Sequence, residues 1–213
     1  MEKKELQKLA NTWIRTLLFP LSLFLFWMMI FSLFRIMFYL YHHSDIDNYL
    51  GFLYSIRLDV SMSCYLIIPS VILYFLQVIN RNTLAEKISF YLSQLILLAT
   101  ILIEYSSIFI YGEWGTTLNQ RAVHDLFNYE DGVKTAVSYF SIPVIVIILG
   151  GFIFGHLLLK KIHSKLFTFP VINLSQKAFM AIVTFTFTFI GLRGGTSKIP
   201  INIGDAYYSK NQT

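Results

Sequence analysis

Charge is scarce in this chain, and cysteine is almost absent. Only 14% of its 213 residues are Asp, Glu, Lys or Arg, against about 25% in an ordinary soluble domain. The single cysteine, Cys64, excludes an intrachain disulfide and leaves the redox compartment unreadable. His42, His43, His124, His156 and His163 are scattered, with no zinc-type spacing. The sequence also lacks a glycine-rich phosphate loop, an HExxH pair and a GxSxG elbow, so no complete soluble-enzyme motif is present.

What it has is grease in long blocks. Hydrophobic residues make up 55% of the chain and aromatics 17%, and mean hydropathy is +0.59. The blocks show neither strand alternation nor a one-sided helical stripe, which is the pattern of membrane spans. Residues 16–34 carry no charge, and the block continues past Arg35 to Tyr41. Lys3, Lys4, Lys8 and Arg15 precede it, as in a signal peptide. The apolar stretch is too long for a signal h-region and no small-x-small site follows, so it reads as an uncleaved anchor.

Four more blocks follow. Residues 60–80 are uncharged around Pro69, and residues 88–111 are interrupted by Glu104. Residues 135–159 are uncharged and carry Gly150, Gly151 and Gly155, a close-packing face of small residues. Residues 174–192 hold Lys177 and alternate Thr with Phe from Thr184 to Phe189. That alternation suggests a strand, but a lone strand leaves its backbone unpaired in lipid, so a helix is expected. The fold predicted is an all-α membrane protein, a five-helix transmembrane bundle over residues 1–192 with spans at about 14–41, 58–80, 88–111, 135–159 and 174–192.

Five crossings put the termini on opposite sides. One side collects Lys3, Lys4, Lys8, Arg15, Arg81, Lys87, Lys160, Lys161, Lys165 and Lys177; the loops of the other hold Arg57, Arg121 and Lys134. This asymmetry predicts a cytoplasmic N-terminus and an extracytoplasmic tail from Arg193, in a cytoplasmic membrane. Because the basic residues sit at block ends and form no face, the pI near 9.2 does not indicate nucleic acid. Between spans three and four, Leu118, Ala122, Val123, Leu126 and Phe127 recur at helical spacing among Asn119, Arg121, His124 and Asp125. A short amphipathic helix on the outer membrane surface is expected there.

The charges inside or flush with the spans cluster toward the predicted outer side: Arg35, Arg57, Asp59, Glu104 and Arg193, with only Lys177 elsewhere. A mid-span charge costs about 2.5–3.5 kcal/mol on insertion scales, so such residues face the bundle and find partners. Glu104 is expected to pair with Arg35 or Arg57 and to line a polar pocket open to the outer surface. The alternative is plain snorkelling of Arg57 and Asp59, with Arg193 a helix stop. Gly194 and Gly195 permit a sharp bend where the chain leaves the membrane.

Three stretches together resemble the membrane portion of lipoteichoic-acid-synthase-like proteins, the phosphoglycerol-transferase branch of the alkaline phosphatase/sulfatase superfamily. They are Arg57-Leu58-Asp59, the segment from Glu113-Trp114-Gly115 through Asn119-Gln120-Arg121-Ala122, and the exit Arg193-Gly194-Gly195 followed by Pro200-Ile201-Asn202 and Asp205-Ala206-Tyr207-Tyr208-Ser209. The resemblance runs from about Trp13 to the last residue. It implies a sulfatase-like catalytic domain after the fifth helix, with a threonine nucleophile and a divalent metal, usually manganese, moving a phosphoglycerol-type head group from a membrane phospholipid. That domain is missing here, so no nucleophile or metal ligand carries over. The chain by itself is expected to be inert, to hold no cofactor, and to have the missing domain and a phospholipid as its partners.

On this reading residues 193–213 are a linker, and the module anchors the enzyme and presents lipid. Arg57, Asp59, Glu104, Glu113, Asn119, Arg121 and Arg193 are the candidate head-group residues, with Arg35, Gly194 and Gly195 structural. Arginine suits a phosphodiester because its planar fork donates to two oxygens. The alternative is a stand-alone scaffold or small transporter. A transport path needs polar residues through the whole depth, and the inner halves of helices one to four read as almost purely apolar.

Overall fold

Long runs of Leu, Ile, Phe and Val leave the backbone only one economical solution in lipid, which is to satisfy every N–H and C=O within a helix. A computed structural model of the protein describes residues 3–42, 50–77, 83–114, 142–167 and 174–195. They form five helices: α1 (Lys3–Tyr41), α2 (Leu50–Leu76), α3 (Thr83–Trp114), α4 (Ile142–Leu166) and α5 (Leu174–Leu192). No strand occurs among the described residues. Each helix contains a stretch long and apolar enough to cross a membrane: Trp13–Tyr41, Ser55–Leu76, Leu84–Gly112, Val144–Leu166 and Ser175–Leu192. The described residues are thus all-helical at their core and carry five candidate spans.

Several helices run beyond the bounds of the sequence reading, for one physical reason. Uncharged blocks mark the hydrocarbon depth, whereas helices continue into the interface, where long cationic side chains reach water. Thus α4 runs on through Lys160, Lys161 and Lys165 to Leu166, not stopping at 159, and α3 begins at Thr83 and includes Glu86 and Lys87. Conversely α2 ends at Leu76, short of the expected 80. Pro20 and Pro69 both lie inside helices, as packed membrane helices allow.

The Thr/Phe alternation of α5 is helical, and its side chains show why. Thr184 and Thr188, one turn apart, are buried and donate back to the carbonyls of Met180 (2.9 Å) and Thr184 (2.8 Å). Phe187 and Phe189 point outward. These two buried hydroxyls therefore find their acceptors within the helix, while the Phe185 ring meets Phe75 of α2 at 5.9 Å.

α1 is the centre of the bundle. Phe19, Leu23, Trp27 and Ile30 are buried against Val71 and Tyr74 of α2, Leu97 and Ile101 of α3, and Leu159 of α4. α5 packs on α2 and α1, while α4 packs on α3 and α1. Of the three glycines expected to form a packing face, Gly155 meets Leu97 so closely that an added Cβ would lie 2.7 Å from its side chain; Gly151 is looser, and Gly150 faces open space. The tightest approach was not foreseen: at Gly191 of α5 an added Cβ would fall 2.2 Å from the Cys64 sulfur.

The helices alternate in direction, as their end contacts show. At the near end, where α1 begins, Tyr74 late in α2 donates to the Thr16 carbonyl (3.3 Å), and Phe19 meets Phe167 just beyond α4. At the far end His42 lies against the last turns of α3, and the start of α2 touches the end of α5.

Candidate functional site

The far end gathers most of the ionic groups that the sequence singles out. Arg35, two turns before the end of α1, reaches across to Asp59 on α2. Its Nε donates to Oδ2 at 3.1 Å and its Nη2 to Oδ1, a two-pronged fork on one carboxylate. Both side chains are largely withdrawn from solvent, Asp59 to 9% and Arg35 to 23% exposure. This corrects the expected pairing of Glu104 with Arg35 or Arg57. Charge inventory alone cannot choose between two carboxylates; the rotation of α1 against α2 does, and it points Arg35 at Asp59. Glu104, half-buried on α3, lies near enough for the charges of Arg35 and Asp59 to act on it. The Arg35–Asp59 pair thus has a second carboxylate, from a third helix, within electrostatic reach.

Arg57 does something else. Its Nε donates to the carbonyl of Gly194 (3.1 Å), and one turn later Ser61 donates through its hydroxyl to the carbonyl of Leu192 (2.7 Å). Those carbonyls belong to the end of α5, where the last C=O groups of a helix lack intrahelical donors. The α5 end closes on itself as well. Gly194 N donates to Gly191 O (2.8 Å) and Gly195 N to Ile190 O (3.0 Å), the paired bonds of a Schellman turn. Gly194 has φ 74° and Gly195 φ 112°, angles that side chains with a Cβ resist. The expected glycine bend is thus a stapled joint, with α2 supplying two donors. Arg193 sits at this joint with an exposed side chain.

Some expected members lie beyond description. Asn119, Arg121, the amphipathic helix between spans three and four, and residues 196–213 fall outside the described residues. Glu113 is on the last turn of α3, which extends past the expected 111, but its side chain is likewise outside.

Sequence reasoning passed over several polar groups. His42, buried at the far end, donates from Nε2 to the Ile108 carbonyl (2.8 Å), ringed by Phe38, Tyr41 and Tyr111. The near halves of the helices are not purely apolar either. Ser70 pairs with Ser93 (3.1 Å), and His156 Nδ1 donates to Gln94 Oε1 (3.2 Å). His163 donates from Nδ1 to the Leu159 carbonyl (2.9 Å) and accepts from Ser89 at Nε2 (3.1 Å), enclosed by Phe19, Phe90 and Phe167. Serine scores as nearly neutral in a hydropathy scan, so such pairs disappear into an apolar block. The signal available was periodic: Ser89 and Ser93 stand one turn apart on α3, with Gln94 beside them turned toward α4.

A serine donating to a histidine resembles a nucleophile and its base. Ser89 and His163 are, however, fully buried among aromatic rings, and the arrangement is that of a satisfied core histidine tying α3 to α4. Among the described residues no group of three or more His, Cys, Asp or Glu is placed to hold a metal ion. No protein family, curated protein or solved structure matches the chain.

Proposed function

We propose that the chain is the membrane-anchoring and lipid-presenting module of a phospholipid head-group transferase of the lipoteichoic-acid-synthase-like kind, with its far end facing out of the cytoplasmic membrane. One observation carries this reading: the α5 exit is fixed to α2 by Arg57 and Ser61, and two arginines, Arg57 and Arg193, stand exposed at that joint. A helix end that merely stops needs no donors from a neighbour. An end that must hold a following domain at a set height above the membrane benefits from them. The same joint puts cationic charge at head-group depth, where each arginine contributes about 1 kcal/mol toward an anionic lipid.

The Arg35–Asp59 pair ties α1 to α2 one half-turn from Arg57, and leaves Arg57 as the cation of α2 that reaches the surface. The test uses the purified chain in nanodiscs of mixed phosphatidylglycerol and phosphatidylcholine, with retained lipid read by native mass spectrometry. The wild type is expected to retain phosphatidylglycerol preferentially, and Arg57→Gln with Arg193→Gln to lower that preference by about fivefold per arginine. An unchanged preference in the double variant rules the reading out.

The scaffold or transporter reading gains one observation, the buried polar pairs of the near half. Against it, Leu97 and Ile101 are buried between those pairs and Glu104 on α3 and interrupt a polar path along that helix. Cation or proton flux into vesicles containing the protein, above that of empty vesicles, would favour transport instead.

A further inference from the structure

The antiparallel pair α2 and α5 does not close along its whole length. Beside the joint a groove of about 530 Å³ opens between them, lined by Ile68 of α2 and by Ala181, Phe185, Thr188, Phe189 and Leu192 of α5. Its wall is almost wholly apolar, since the Thr188 hydroxyl is turned back onto the Thr184 carbonyl. From Ala181 to Leu192 the groove follows α5 for about 16 Å at 1.5 Å per residue. That is about half the 30 Å hydrocarbon thickness, the depth of one leaflet. The groove ends at Leu192, and the next residue is the exposed Arg193, with Arg57 bonded to Gly194 beside it.

We propose that this groove seats one acyl chain of an anionic phospholipid, whose phosphate lies at Arg57 and Arg193. This deepens the lipid-presenting reading above and rests on it, adding a specific seat for the tail. Length and charge both select the occupant. A single hydrocarbon chain is linear, apolar and one leaflet long, which matches both the lining of the groove and its run along α5. The end of α5 carries about half a negative charge from its carbonyls. Arg57 and Ser61 already donate to those carbonyls, and two full cations outweigh that half charge, so the mouth of the groove favours an anion. An acyl chain lying there also covers the lipid-facing side of the joint.

The experiment places the full chain in phosphatidylcholine nanodiscs doped with phosphatidylglycerol that carries a photoreactive diazirine in its tail. Irradiation is expected to label the α5 segment 181–192 and the peptide around Ile68, well above the exposed faces of α3 and α4. A tail-labelled phosphatidylcholine is expected to label them several-fold less. Ala181→Trp fills the deep end of the groove and is expected to cut both this labelling and phosphatidylglycerol retention several-fold; the labelling pattern of the wild type needs no variant to fold. Equal labelling by the two lipids, or labelling spread evenly over all five helices, identifies ordinary surrounding lipid and overturns the proposal. Should Ala181→Trp retain phosphatidylglycerol like the wild type while the Arg57 and Arg193 substitutions lose it, the groove seat fails and the head-group reading stands. Should neither lose it, both fail.

Discussion

Arg35 and Asp59 illustrate how little a charge is worth until its partner is known. A guanidinium taken largely out of water is tolerable because both carboxylate oxygens meet it, and removing one partner strands the other. Asp59→Ala is therefore expected to destabilise the chain by about 2–4 kcal/mol, slightly below a fully buried pair because Arg35 keeps some exposure. The double variant Arg35→Leu with Asp59→Leu removes both charges and is expected to recover most of that loss. Thermal unfolding in detergent, followed by the loss of the monodisperse chromatographic peak, measures both. Equal damage from the single and double variants would contradict the pair's role.

The same pair marks what sequence could and could not say about individual residues. That Arg35, Arg57, Asp59, Glu104 and Arg193 lie toward one side followed from their positions in the spans. Which carboxylate Arg35 takes did not, because it depends on the rotation of one helix about its axis. Arg57 shows the same limit. A basic residue at a helix start reads as a snorkelling cation, and nothing local reveals that its acceptor is a carbonyl 137 residues away.

At the scale of the helix, close approach is set by single hydrogen atoms. Gly191 lets α5 lie directly on Cys64 of α2, and a methyl group there would overlap the sulfur. Gly191→Ala is expected to cost about 1–3 kcal/mol through the forced separation of the two helices. Adding Cys64→Ala, which removes the sulfur, is expected to restore part of it. Gly150→Ala, facing open space, is expected to be neutral or slightly stabilising, since alanine is the better helix former. The same unfolding measurement ranks the three. A Gly150 variant as damaging as the Gly191 variant would show that the packing face has been misassigned. The glycines of α4 were conspicuous in the sequence because three stand together. Gly191 was inconspicuous, and its importance comes from the residue opposite it. Helix type was legible even for the Thr/Phe alternation of α5, because lipid removes the strand as an option.

At the scale of the molecule, the five apolar helices of the described residues alternate in direction, and the Arg35–Asp59 pair, Glu104 and the Arg57 joint lie toward the end where α5 finishes. The candidate spans of the described residues were readable because hydropathy over about 20 residues is a sum, insensitive to which neighbour each side chain meets. The buried polar pairs of the near half were not, because serine and glutamine are diluted in that sum. The lipid-presenting account needs one fact above all, that the joint of Arg57, Arg193 and the Gly194–Gly195 turn faces out of the cytosol. A reporter active only outside the cytosol, fused after Thr213 and, in a parallel fusion, between α4 and α5, tests this directly. The account predicts activity for the fusion after Thr213 and none for the fusion between α4 and α5. The reverse pattern would place the joint in the cytosol and contradict the account.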